Sequence, residues 1–248
     1  MTSLQTTGRM VVLVLTAVIF LALPAHAQDL SISLGDDASL SARAMQLIAL
    51  MTVLSLAPGI AIMITCFPFV VTVLSILRQA IGLQSAPPNM LIVSLALFLT
   101  YFVMDPVFMA SWENGLKPLN EGALSIEEAI PKALEPFRGF MSARLDMDTF
   151  LTLADLRPEQ AGGGAPSEAS FSILIPSFML SEIERAFQIG FLVFLPFLII
   201  DLVVSAVLMS MGMMMVPPAI VSLPFKLAFF VVADGWSLIS SALVRSYI

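Results

Sequence analysis

From Ala44 to Leu77 the chain carries no charged side chain over 34 residues. As one straight helix this run would be about 51 Å long, against a hydrocarbon core of about 30 Å, so it is too long for a simple membrane crossing. Pro58-Gly59 and Pro68 are expected to bend or break it, because proline removes a backbone donor and clashes with the preceding turn. Broken backbone survives at membrane depth only where protein buries it or where it lines a cavity. The run therefore predicts a helical segment that is incomplete by itself.

Composition places the rest of the chain in the same class. Of 248 residues, 58% are hydrophobic and 12% are charged, about half the charge of an ordinary soluble domain. That predicts an all-α membrane protein built from broken hydrophobic helices that form hairpins, with one polar domain of modest size. Net charge is −7 with no cluster of Lys or Arg, which argues against a nucleic-acid partner. Cys66 is the one cysteine, so neither a disulfide framework nor a cysteine metal cluster is available.

Residues 1–27 read as a secretory signal: Arg9, an apolar stretch from Met10 to Leu23, and a small-x-small site ending at Ala27. The one histidine, His26, lies inside it. The order expected after it is a short external leader (28–43), a first hydrophobic segment (44–78), a loop (79–89) and a second hydrophobic segment (90–111). A polar domain (112–170) and two further hydrophobic segments (171–216 and 217–248) follow. The polar domain holds ten acidic and five basic residues. Within it, Ser125 and Glu128 have capping-box spacing, and Leu134, Phe137, Met141 and Leu145 repeat as an amphipathic stripe. Gln160 to Ser167, with Gly162-Gly163-Gly164, reads as a flexible linker.

Asp105, Asp201, Lys226 and Asp234 fall inside apolar segments. Each costs about 2.5–3.5 kcal/mol at the centre of a lipid-facing helix. Lys226 is expected to pair with an acid such as Asp201 or Asp234, either to fix packing or to serve gating or subunit contact. Glu182 and Arg185, spaced i to i+3, can pair on one helix or meet another subunit. Between the third and fourth segments lies Met209-Ser210-Met211-Gly212-Met213-Met214-Met215-Val216-Pro217-Pro218. Methionine is unbranched and polarizable, so it fills gaps without specifying one packing. The cluster is either an ordinary Met-rich helix end or a surface that must close and yet reshape.

No catalytic constellation is present. Gly162-Gly163-Gly164 lacks the Lys-Ser/Thr of a phosphate loop, no metal-ligand spacing occurs, and after signal removal a serine nucleophile would have no histidine base. The chain is expected to be no enzyme and to use no cofactor.

Several ordered motifs resemble the FliP/SctR family of type III secretion export-gate proteins. They are Phe67-Pro68-Phe69, Ser85-Ala86-Pro87-Pro88-Asn89 with Leu95 to Thr100, Ala186 to Phe191, Leu195 to Leu202, Gly212 to Pro218, Leu223-Pro224-Phe225-Lys226 and Asp234-Gly235-Trp236. The resemblance implies a pentamer assembled helically with FliQ and FliR, beside other export-apparatus proteins of the FlhA and FlhB type. This assembly would be a ring-like pore in the bacterial inner membrane at the flagellar basal body, with a periplasmic domain, through which unfolded flagellar proteins leave the cytoplasm. It also implies that Met213, Met214 and Met215 form a deformable pore gasket. Glu182 and Lys226 would make subunit contacts, and Phe137 and Phe150 would help hold the external region together. A signal and a sizeable external domain favour the flagellar branch. Two other readings stay open on the residues alone: a small secondary transporter, which shares broken helices and midplane charges, and a structural assembly factor that never touches substrate.

Overall fold

The computed structural model describes residues 40–83, 86–213 and 215–248. The expected signal (1–27), most of the leader, Gln84, Ser85 and Met214 lie outside the described residues. Among the described residues all regular structure is helical. The chain divides into two units, the first ending at Val53 and the second running from Leu54 to Ile248. The described part of the first unit is the opening of helix α1 (Leu40–Met63), which is regular enough for Thr52 Oγ1 to donate to the Ile48 carbonyl.

The uncharged run breaks, but not where both prolines stand. Helix α1 continues through Pro58. The interruption falls at Ile64–Cys66, and Pro68 lies in the first turn of α2 (Phe67–Ile81), where the missing N–H has no helical partner to lose. Helix α2 carries Phe69, Val70, Val73, Leu74, Leu77, Ala80 and Ile81 on one buried stripe, the three- and four-residue repeat of a core-facing helix. Gly82, at φ +86°, ends it in the left-handed conformation.

Helix α3 (Asn89–Ser111) runs on past Asp105 and through Pro106, then passes into one π-helical turn, Trp112–Leu116, and the short α4 (Lys117–Asn120). The polar region is built on α5 (Ile126–Arg144) and α6 (Met147–Asp155). The expected capping box is present: the Glu128 N–H donates to Ser125 Oγ, and the Ser125 N–H donates back to the Glu128 carboxylate. Met141 faces Leu174 and Phe178 in a shared apolar cluster, while Leu134 and Phe137 stay half-buried.

The glycine stretch differs from the expected linker. It forms two short 3-10 turns, Pro158–Gln160 and Gly162–Gly164, with Ala161 and Ala169 buried. A Cβ on Gly162 would fall 2.5 Å from the Glu168 carbonyl carbon, so the glycine serves close backbone approach. Arg138 donates to the Ser167 and Ala169 carbonyls and lies 4.2 Å above the Phe171 ring. A polar, glycine-rich composition signals freedom only where nothing packs against it, and here a cation holds the loop.

Helix α7 (Phe171–Ser210) extends over 40 residues through Pro176 and Pro196, about 60 Å at 1.5 Å per residue. Next to Pro176, the Ser177 hydroxyl donates to the Ile173 carbonyl at 2.8 Å, a back-bond to the preceding turn of the same helix. Helix α2 packs along α7, where a Cβ on Gly190 would fall 2.4 Å from Ile76 Cδ1. Helices α8 (Pro218–Val232) and α9 (Gly235–Arg245) follow, bent by 60°. Asp234 forms that bend at φ 48°, ψ 47°. Among the described residues, three helical stretches can cross a membrane by length and composition: Ala44–Met63, Asn89–Asn120 and Phe171–Ser210, with the bent α8–α9 pair as a fourth.

Candidate functional site

Three constellations lie on this frame. The first is the methionine turn. Helix α7 ends with the Met213 N–H donating to the Leu208 carbonyl and the Gly212 N–H to the Met209 carbonyl, both at 3.0 Å. This is the Schellman pattern, and its left-handed position falls on Gly212 at φ +75°. Pro217 and Pro218 then start α8 with φ already set for a helix. The turn leaves Met209, Met211 and Met215 exposed, Met215 almost completely at 97%, with Met213 just beyond the half-buried range. Behind the turn, Ile199, Val203, Val207, Met211, Val221 and Phe225 line a wholly apolar groove of about 550 Å³ between α7 and α8. Exposed thioethers beside a hydrogen-bonded helix end can present soft, reshaping contacts.

The second constellation is an ion pair between a buried lysine and a half-buried aspartate. Lys226 Nζ lies 2.6 Å from Asp201 Oδ2 and donates also to the Ala80 carbonyl at 3.1 Å. The Ser222 hydroxyl donates to Asp201 Oδ1 at 2.6 Å. Ala80 belongs to the last turn of α2, so the ammonium satisfies one of the four carbonyls that end a helix and sits at its negative pole. One cation thus ties α2, α7 and α8 together. Of the two acids expected as its partner, Asp201 is the one used. Asp234 lies at the α8–α9 bend with no side-chain capping bond.

Glu182, fully buried on α7, centres the third. Its Oε1 is 3.5 Å from Arg144 Nε and 3.9 Å from Arg185 Nη1, and Oε2 accepts from the Tyr247 hydroxyl. Arg144 also lies 4.0 Å over the Tyr247 ring and donates to the Ser246 carbonyl at 2.7 Å. Burial, and next the negative charge of Glu182, push the Tyr247 phenol up, so it remains a donor. The expected Glu182–Arg185 pair is present, but its geometry is the looser one.

Phe137 packs against Phe108 with ring centroids 5.9 Å apart, which joins the polar region to α3. Phe150 is fully buried with Ala154, Ala161, Ala169 and Ile173. Sequence reasoning missed Arg144, Ser222, Tyr247 and the Ala80 carbonyl. Tyr247 is 65 residues from Glu182 and Lys226 is 146 from Ala80, and no periodicity connects positions so far apart.

Residues 50–243 match the model of the FliP family. The chain is 49% identical to the flagellar biosynthetic protein FliP of Caulobacter vibrioides over 96% of this chain and 90% of that protein. It is 44% identical to the flagellar biosynthetic protein FliP of Agrobacterium fabrum over 96% of this chain and all of that one. Against the protein of the same description from Bacillus subtilis the figure is 46%, over 82% of this chain and 91% of the relative. All three relatives are described as flagellar biosynthetic proteins. With the family model covering residues 50–243, which include the methionine turn, Asp201, Lys226 and Glu182, the chain belongs to the FliP family.

Proposed function

We propose that this chain is a pore-forming subunit of the flagellar type III export gate in the bacterial inner membrane. In this reading several copies, five by family resemblance, associate with FliQ and FliR next to FlhA- and FlhB-type proteins. The 112–170 region faces the periplasm, and unfolded flagellar proteins pass through the conduit. The observation that carries the reading is the methionine turn: a hydrogen-bonded Schellman stop that holds Met213 and Met215 out from the ends of two apolar helices. Met214 joins them in sequence. Soft thioethers from several copies can close around ions and deform around a passing chain.

Apolar surface supports the same reading. Phe98, Phe102, Phe187, Phe191, Ile199 and Leu202 are all exposed, apolar surface that calls for lipid or neighbouring chains. In this proposal the Lys226–Asp201 and Glu182–Arg185 pairs keep those faces in register, and Phe137 and Phe150 hold the periplasmic region in the shape that neighbours recognise. The test is a triple substitution, Met213→Ala, Met214→Ala and Met215→Ala, with ion leak and filament formation measured in cells. Leak should rise while filaments still form. Unchanged leak together with unchanged export removes the gasket.

A further inference from the structure

The Ser246–Tyr247 segment touches more of the fold than its place in the chain demands. The Tyr247 ring stands edge-on to Phe69 of α2, with centroids 5.4 Å apart and planes at 75°, and stacks on Phe140 of α5 at 6.0 Å. Its hydroxyl donates to buried Glu182 of α7. Arg144, at the end of α5, lies over the ring and donates to the Ser246 carbonyl. One tyrosine therefore bridges α2, α5 and α7, and joins the polar region to the apolar helices.

We propose that this segment is an intrachain latch that locks α5 onto the α2–α7 pair, with Glu182 as its internal anchor. Glu182 is fully buried within a single chain, and its charge is answered there by Arg144, Arg185 and the Tyr247 hydroxyl. Within the chain the carboxylate is fully buried, and Arg185, whose side chain is 35% exposed, is the most accessible member of the group. The inference is independent of the export reading, since it concerns how one chain holds its own two regions together before and within any assembly.

Two measurements on the full chain in detergent test it. The first follows protease cleavage between α5 and α7. A hydrogen bond to a buried charge shifts an opening equilibrium by about tenfold or more, so Tyr247→Ala should raise the cleavage rate by at least about that factor. Tyr247→Phe keeps the ring, removes that hydrogen bond alone and should raise it about tenfold. In a Glu182→Gln background, Tyr247→Phe should add less than about twofold, because the two groups act as a pair. Equal cleavage in Tyr247→Phe and the parent, or fully additive effects, overturns the latch.

The second measurement places cysteines by Ala143→Cys and Ser246→Cys in a Cys66→Ala background and bridges them with a bifunctional maleimide in the assembled particle. The bridged product should run at the mass of one chain. Bridging at the mass of two chains would show that the segment docks on a neighbour, which overturns the intrachain assignment.

Discussion

Lys226 and Asp201 meet at 2.6 Å between α8 and α7, and the same ammonium caps the last turn of α2 through the Ala80 carbonyl. A charge that would be costly in an apolar helix thus becomes the tie between three helices. Removing one member of a fully buried pair costs about 3–5 kcal/mol, because the other is left uncompensated. The Asp201 side chain is 31% exposed, so solvent recovers part of that and the cost should be about 1–3 kcal/mol. Lys226→Met should lower the thermal midpoint in detergent, whereas Lys226→Met with Asp201→Leu should recover much of the loss. A double variant no more stable than the single would show that the pair contributes more than mutual charge compensation.

The α2–α7 contact depends on the missing side chain of Gly190. A Cβ there would meet Ile76 at 2.4 Å from Cδ1 and 3.2 Å from Cγ2, so rotation of the isoleucine tip relieves only part of the overlap. Gly190→Leu should destabilise the fold by about 1–3 kcal/mol through overpacking. Ile76→Ala should restore much of this, and denaturant unfolding of the two single variants and the double one reads the coupling.

Gly212 makes a separate claim about the methionine turn. Its φ of +75° is open to glycine at no cost, and no atom lies within 4 Å of an added Cβ. Gly212→Ala therefore tests backbone conformation alone and should cost about 1–2 kcal/mol. Gly212→Asn should cost less, since asparagine accepts the left-handed region more readily. If the turn positions the thioethers, ion leak should rank Gly212→Ala above Gly212→Asn above the parent.

The polar region offers a pH test. Asp146 caps α6, and its carboxyl is held below the ordinary value of 3.8 by the Thr149 N–H and then the Thr149 hydroxyl. A carboxyl whose folded value is depressed contributes stability above its unfolded value and loses it as pH falls through the folded one. Hydrogen exchange in α6 should therefore speed up as pH drops below 3.8, after correction for the intrinsic rate. Asp146→Asn keeps a good cap and should abolish that dependence.

Local chemistry was legible where it acts over short distances. The Ser125–Glu128 box, the Phe137–Met141 stripe and the stop at Gly212 with Pro217-Pro218 each depend on neighbours within one or two turns. Pro58 was read less well. It lies inside a helix, as do Pro106, Pro176 and Pro196, because a single lost backbone bond can be offset by packing, which local propensity does not contain. The glycine linker misread in the same direction, since Arg138 pins it from 29 to 31 residues away.

The amino-acid order alone determined an all-helical, membrane-type chain with one polar region, a soft methionine stop, charges that had to find partners, and a family. These follow from hydrophobic periodicity, charge content and capping chemistry, which act along the chain. Only the tertiary structure decided that Lys226 chooses Asp201 over Asp234, that Glu182 is answered by Arg144 and Tyr247, and that Gly190 lets two helices close on each other. Those choices depend on which surfaces meet once long helices pack, and the free energy of pairing belongs to distances that sequence separation does not encode.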